Sequence, residues 1–136
     1  MTAKQILEMI EAVYPSDTAK LDEIDAMVWC YLNSAEFKWT KGRGLFEYNI
    51  GGKENVTKRI GKNIQYTRSR DALKQIRPDG KIMWCFFENY PEGARARAEI
   101  FHDHGDNPIQ TGWFPTEELA ELHAIIQAIE YERTNK

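Results

Sequence analysis

The sequence is short of the residues that usually carry covalent chemistry. It has two cysteines, Cys30 and Cys85, and three histidines in 136 residues. No Gly-x-Ser-x-Gly nucleophile turn occurs. The one stretch that echoes a phosphate loop, Gly61-Lys62-Asn63, fails at its end, where Ser or Thr is required, and Val56 stands where the first glycine belongs. No apolar run approaches the ~20 residues that span a bilayer. The opening stretch, MTAKQILEMIEA, has glutamates inside its apolar pattern and does not read as a secretion signal. A cytoplasmic protein with reduced thiols and no membrane contact is therefore expected. The glycosylation triplet Asn55-Val56-Thr57 then carries no meaning.

What is present describes a folded domain. Hydrophobic content is 42% and aromatic content 12%, enough for a real core in a single domain spanning 1–136. Net charge is −3 but unevenly placed: residues 1–37 carry −5, residues 38–97 carry +8, and residues 98–136 carry −6. A basic middle between acidic ends fits either an ionic partner or internal neutralisation between packed elements.

Periodicity predicts a helix over 2–14, opened by a Thr2/Gln5 capping box and closed by Pro15; this helix could stand as an appendage, residues 1–18. Ser16, Asp17 and Thr18 offer caps for a second helix with a stripe of Leu21, Ile24, Val28 and Leu32, stopped near Asn33 and Ser34. Asp22, Glu23 and Asp25 lie near its start, where the helix dipole favours anions. Residues 36–40 alternate, with Phe37 and Trp39 expected on one face. Lys41-Gly42-Arg43-Gly44 turns the chain and 45–50 returns antiparallel. Residues 51–63 are glycine-rich, basic and without apolar period, and read as a flexible loop. A short strand at 64–66 and a short helix capped by Ser69 follow. Residues 81–88, KIMWCFFE, predict a strand buried on both faces. A second strand over 94–102 turns its alanines one way and Arg95 and Arg97 the other. Thr116 caps a last helix with a core stripe of Leu119, Leu122, Ile126 and Ile129. The class is α+β, a mostly antiparallel sheet with helices packed on it.

The stretch most like a reactive site is HDHGD, 102–106. His102 and His104 would project from one side of an extended strand, with Asp106 near, as a candidate metal set for a metal-dependent hydrolase. Against it, Asp103 would point away, Gly105 breaks the strand, and an HD-type phosphohydrolase needs further His and Asp residues on separate helices. The segment reads better as a polar loop; no metal or cofactor is expected, and no enzyme. The basic set is the stronger candidate for contact with an anion or partner: Lys53, Lys58, Arg59 and Lys62 in the 51–63 segment, Arg68, Arg70, Lys74 and Arg77 around the short helix, and Arg95 and Arg97 on a strand. Trp39 and Tyr66 are candidates to stack on bases. The alternative is a solvated loop with arginines paired to carboxylates.

Several stretches recur in a familiar order: Leu21-Asp22-Glu23-Ile24-Asp25-Ala26, then Tyr66-Thr67-Arg68-Ser69-Arg70-Asp71-Ala72, the turn Pro78-Asp79-Gly80, the alanine-rich Ala94-Arg95-Ala96-Arg97-Ala98, and a final Thr-led helix. In this the chain resembles the phage ABA-sandwich domain family over roughly residues 20–136. It departs at Lys81, where similar proteins often place Trp, and in its basic 51–63 segment. The resemblance implies an α/β/α sandwich, helices on both faces of a sheet, and a phage or prophage origin. It supplies no catalytic residues. Under such a sheet cover, Arg95 and Arg97 would have to lie on an edge, beyond the helices, or against acids. The expected function is that of an accessory protein binding a host protein or ribonucleoprotein complex, as inhibitors of host defence such as anti-CRISPR proteins do. Nucleic-acid or anionic-nucleotide binding is the alternative.

Overall fold

A computed structural model describes residues 2–78, 82–90, 93–101 and 109–134; for 82–90, 93–98 and 101 it is the strand backbone that is described. The fold is α+β with antiparallel sheets. The chain forms two compact units, Met1–Ala72 and Leu73–Lys136. Among the described residues no helix is long and apolar enough to cross a membrane.

The first unit opens with α1 (Ala3–Ala12) and α2 (Thr18–Leu32). The capping box forms as read: the Gln5 N–H donates to Thr2 Oγ1 at 3.2 Å and the Thr2 N–H to Gln5 Oε1 at 2.8 Å. Asp17 caps α2, accepting from the Lys20 N–H. At the far end the Ala35 N–H donates to the Cys30 carbonyl, which closes the helix over Ser34, held in the left-handed region at φ 53°. Ile6, Ile10, Ile24 and Val28 of the two helices are fully buried, each burial stabilising by about 1.5–3 kcal/mol.

A three-stranded antiparallel sheet follows: β1 (Glu36–Gly42), β2 (Leu45–Asn49) and β3 (Val56–Arg59), in that order. Phe46 and Tyr48 face α2, with ring centroids 5.8 and 4.8 Å from Trp29. The β1–β2 hairpin has a two-residue turn, Arg43-Gly44, with φ 52° and 70°, a pairing of left-handed residues that matches the strand twist.

Three expectations are corrected here. Phe37 and Trp39 do not share a face in simple alternation. The register shifts between them, Phe37 pairing with Tyr48 and Trp39 with Glu47, so the bulge re-aims Trp39 outward, where it is 51% exposed. The 51–63 segment, expected as a loop, contains β3 and a 3₁₀ turn at Lys62–Ile64. Gly51 and Gly52, at φ 65° and 73°, make the reversal that returns β3 to β2, with the Lys53 N–H donating to the Ile50 carbonyl. The expected strand at 64–66 is that 3₁₀ turn and the bend after it. Then α3 (Arg70–Lys74) begins, its Ala72 N–H capped by Ser69 Oγ as anticipated.

The second unit is β4 (Ile82–Tyr90), β5 (Gly93–Phe101) and β6 (Ile109–Gln110) in one antiparallel sheet, with α4 (Glu117–Thr134) packed on it. β4 and β5 pair without a break from Ile82 opposite Phe101 to Tyr90 opposite Gly93. Thr116 Oγ1 caps α4 by accepting from the Leu119 N–H. The anticipated stripe is broader than four residues: every side chain from Leu119 to Ile126 is buried, Glu121 and His123 included.

Candidate functional site

The cations named from sequence do not form one patch. Arg68 is held inside the first unit. Its Nη2 donates to Asp25 Oδ2 at 2.6 Å and to Asp22 Oδ1 at 2.8 Å. The Thr67 backbone N–H donates to the other Asp25 oxygen at 2.8 Å. Lys58 lies half-buried on the α2 side of the sheet, its ammonium 5.2 Å from the Trp29 ring centroid, in cation–π contact. Arg77 belongs to the second unit. It donates through Nε at 2.6 Å, and again through Nη2, to Glu121 Oε1; that carboxylate is fully buried. Arg70 and Lys74 are exposed on α3. Arg95 and Arg97 fall on β5, where register sets Arg95 opposite Glu88 and Arg97 opposite Phe86.

The remaining cations are exposed on one sheet or on the turns beside it. Lys53, Arg59 and Lys62 are exposed, and among the described residues they take part in no salt bridge. Arg43, not among the candidates from sequence, joins them. The Ile60 N–H donates to the Gly44 carbonyl at 2.6 Å, which ties the β1–β2 turn to the end of β3, so Arg43, Arg59 and Lys62 gather at one end of the sheet. Lys53 stands at the other end, on the β2–β3 turn. β3 touches β2 and no other element among the described residues.

Register decides which side chains share the face turned away from α2. Trp39, Glu47 and Thr57 lie in one row across the three strands, and Leu45 and Arg59 in the next. Glu47 is buried and neutralised by Lys41, whose Nζ is 2.6 Å from Oε2. The face therefore carries an exposed indole on β1 and Arg59 on β3, with Glu36, opposite Asn49 on the same face, paired to Lys38. Tyr66, the second stacking candidate, is 4% exposed and belongs to the core, so of the pair named from sequence Trp39 alone is presented.

The buried acid cluster is a poor centre for chemistry. Burial pushes the Asp25 carboxyl up to about 6, against the lowering effect of Arg68 and the Thr67 amide. Burial, with the Asp25 charge added, raises the Tyr66 phenol to about 12. Both Asp25 oxygens are occupied, and a cavity of about 250 Å³ beside Thr18 and Arg43 is lined by Asp22 and not by Asp25. The cluster joins the stretches 21–26 and 66–72, and folding thereby accounts for Asp22, Asp25 and Arg68.

Cys30 is a free thiol, wholly buried, and burial raises it to about 12, which leaves it protonated and inert. His102, His104 and Asp106 lie outside the described residues. Among the described residues no group of three His, Cys, Asp or Glu side chains is placed to hold a metal. His123 is buried on α4, its Nδ1 2.8 Å from Gln127 Nε2 and its ring against Phe114.

The chain matches no protein-family model, no curated protein and no solved structure.

Proposed function

We propose that the protein is a non-enzymatic phage or prophage accessory protein that works by binding a host macromolecule, with the outward side of the β1–β2–β3 sheet as its contact surface. The observation that carries this reading is the set Lys53, Arg59 and Lys62, exposed around a strand that has a neighbour on one side only. Charges left outside the fold's own ion pairs are those a partner can use, whereas Arg68 and Arg77 are already spent on Asp25 and Glu121. The resemblance to phage proteins supports the setting, and interference with host defence is the activity that setting favours.

The test is affinity capture from bacterial lysate with the wild-type chain and with K53E/R59E/K62E, the retained protein and nucleic acid both being identified. The reading expects a retained macromolecule that the triple variant loses and that E8K/E132K, reversed at exposed acids elsewhere, keeps. Equal capture by wild type and triple variant would reject the sheet as the contact surface.

A further inference from the structure

The chemistry on this face is specific enough to name a class of partner. Trp39 is the side chain that a purely ionic surface does not explain. An indole 51% exposed midway along the edge strand β1 leaves much apolar area in water, and the β-bulge beside it is what turns it outward. It lies in the row of Glu47 and Thr57, one row from Arg59, and Lys41 cancels the one carboxylate beneath it. Flat π-surface and one cation, Arg59, thus share one face, and Arg43, Lys53 and Lys62 are exposed at the ends of the sheet.

We infer that this face takes a single strand of nucleic acid, with Trp39 stacked on a base and Arg43, Arg59 and Lys62 at one end and Lys53 at the other on phosphates. The inference rests on the reading of this sheet as the contact surface. Three observations favour a single strand over other anionic partners. Stacking on an indole needs an open base face, which an intact duplex withholds. The platform is small: three strands about 4.8 Å apart, with β3 about 10 Å from Val56 to Arg59 at ~3.4 Å per residue. That spans a few nucleotides and not the phosphate rows of a duplex. An acidic peptide adding to the open edge of β3 would lie three strand spacings, roughly 14 Å, from β1 and would leave Trp39 uncovered. Arg43 adds independent support. It occupies a left-handed turn position, φ 52°, that suits Gly or Asn better, so the cation is present against the backbone's preference.

The experiment is fluorescence anisotropy of labelled oligouridylate and oligothymidylate of about fifteen nucleotides, and of a duplex of the same length, titrated with the full chain. The expected result is binding of a single strand in preference to the duplex. Affinity should fall roughly twenty- to fiftyfold between about 50 and 200 mM salt, the loss for three or four phosphates at about −0.7 per phosphate. W39A should weaken binding by about fivefold to a hundredfold, while W39F, which keeps a stacking ring, retains most of it. Circular dichroism on each variant confirms the fold, since Trp39 is not a core residue. Absence of single-strand binding at low salt, equal binding by W39A, or preference for the duplex would overturn the inference. A lysate partner that depends on Lys53, Arg59 and Lys62, survives nuclease and proves to be protein would also overturn it, and would leave the contact-surface reading standing.

Discussion

Arg68 places a guanidinium nitrogen 2.6 Å from Oδ2 of Asp25, a residue 43 positions away in sequence, and so ties α2 to the segment that precedes α3. Asp25 is fully buried at its side chain and Arg68 is 28% exposed, so the arginine is what makes that burial tolerable. R68A should cost about 3–5 kcal/mol at neutral pH, because it leaves a buried carboxylate without its cation. The penalty should shrink toward pH 5, where Asp25 can take a proton instead. Urea unfolding midpoints of wild type and R68A across that range check both statements.

The same carboxyl sets a pH dependence. Its value in the fold, about 6, exceeds the ordinary 3.8, so between those values the folded chain holds a proton that the unfolded chain has released. Asp25 therefore favours the fold most below about pH 4, and that contribution, on the order of 2–3 kcal/mol, is lost as pH rises through 6. D25N should remove this slope from the stability–pH curve while other carboxylates contribute as before. A D25N curve parallel to wild type between pH 4 and 6 would contradict the assignment.

In the second unit, Glu121 Oε1 receives both Arg77 bonds, and Oε2 is buried with no partner among the described residues. R77A should destabilise by about 2–4 kcal/mol, the range reduced by the partial exposure of Arg77. R77M/E121L, which removes both charges and keeps the bulk, should recover most of that loss. Thermal melts of the single and double variants decide the point.

Among the described residues two sit in left-handed backbone without being glycine, Ser34 at φ 53° and Arg43 at φ 52°. S34G should raise stability by roughly 0.5–1 kcal/mol and R43N by a similar or smaller amount. G51A should lower it by about 1 kcal/mol. No atom lies within 4 Å of the added Cβ at Gly51, so the cost there is backbone conformation alone. On the reading above, R43N should also weaken oligonucleotide binding while it raises the melting temperature.

Helix caps and one hairpin turn, encoded within a few residues, were legible in the sequence, whereas the Gly51-Gly52 reversal and the 3₁₀ turn at Lys62–Ile64 were not. The Thr2–Gln5 box, the Asp17, Ser69 and Thr116 caps, the stop at Asn33-Ser34 and the turn at Arg43-Gly44 each depend on neighbours in the chain, and each forms. The α+β class followed from the same signals. What was not legible depends on distant partners. Asp25 read as an acid complementing the α2 dipole, since nothing local announces Thr67 and Arg68, 42 and 43 residues on. β3 was missed because Val56-Thr57-Lys58-Arg59 is an edge strand without apolar alternation, the composition that edges favour and that pattern reading assigns to loops. The cations of the site were visible as letters. Which of them the fold would consume was not, because Arg68 and Arg77 meet their carboxylates across more than forty residues.

The bare edge of β3 also bears on how copies of the chain behave toward one another. Two such edges pairing antiparallel over Val56–Arg59 would set Lys58 opposite Thr57 and Arg59 opposite Val56, bringing the two cations of each molecule onto one short ladder, and the edge that invites strand exchange is guarded by their mutual repulsion. That guard is electrostatic and weakens as the screening length drops from about 10 Å at 0.1 M salt to about 3 Å at 1 M. Concentrated salt should therefore turn a well-behaved solution into one that sheds protein as sheet-stacked aggregate.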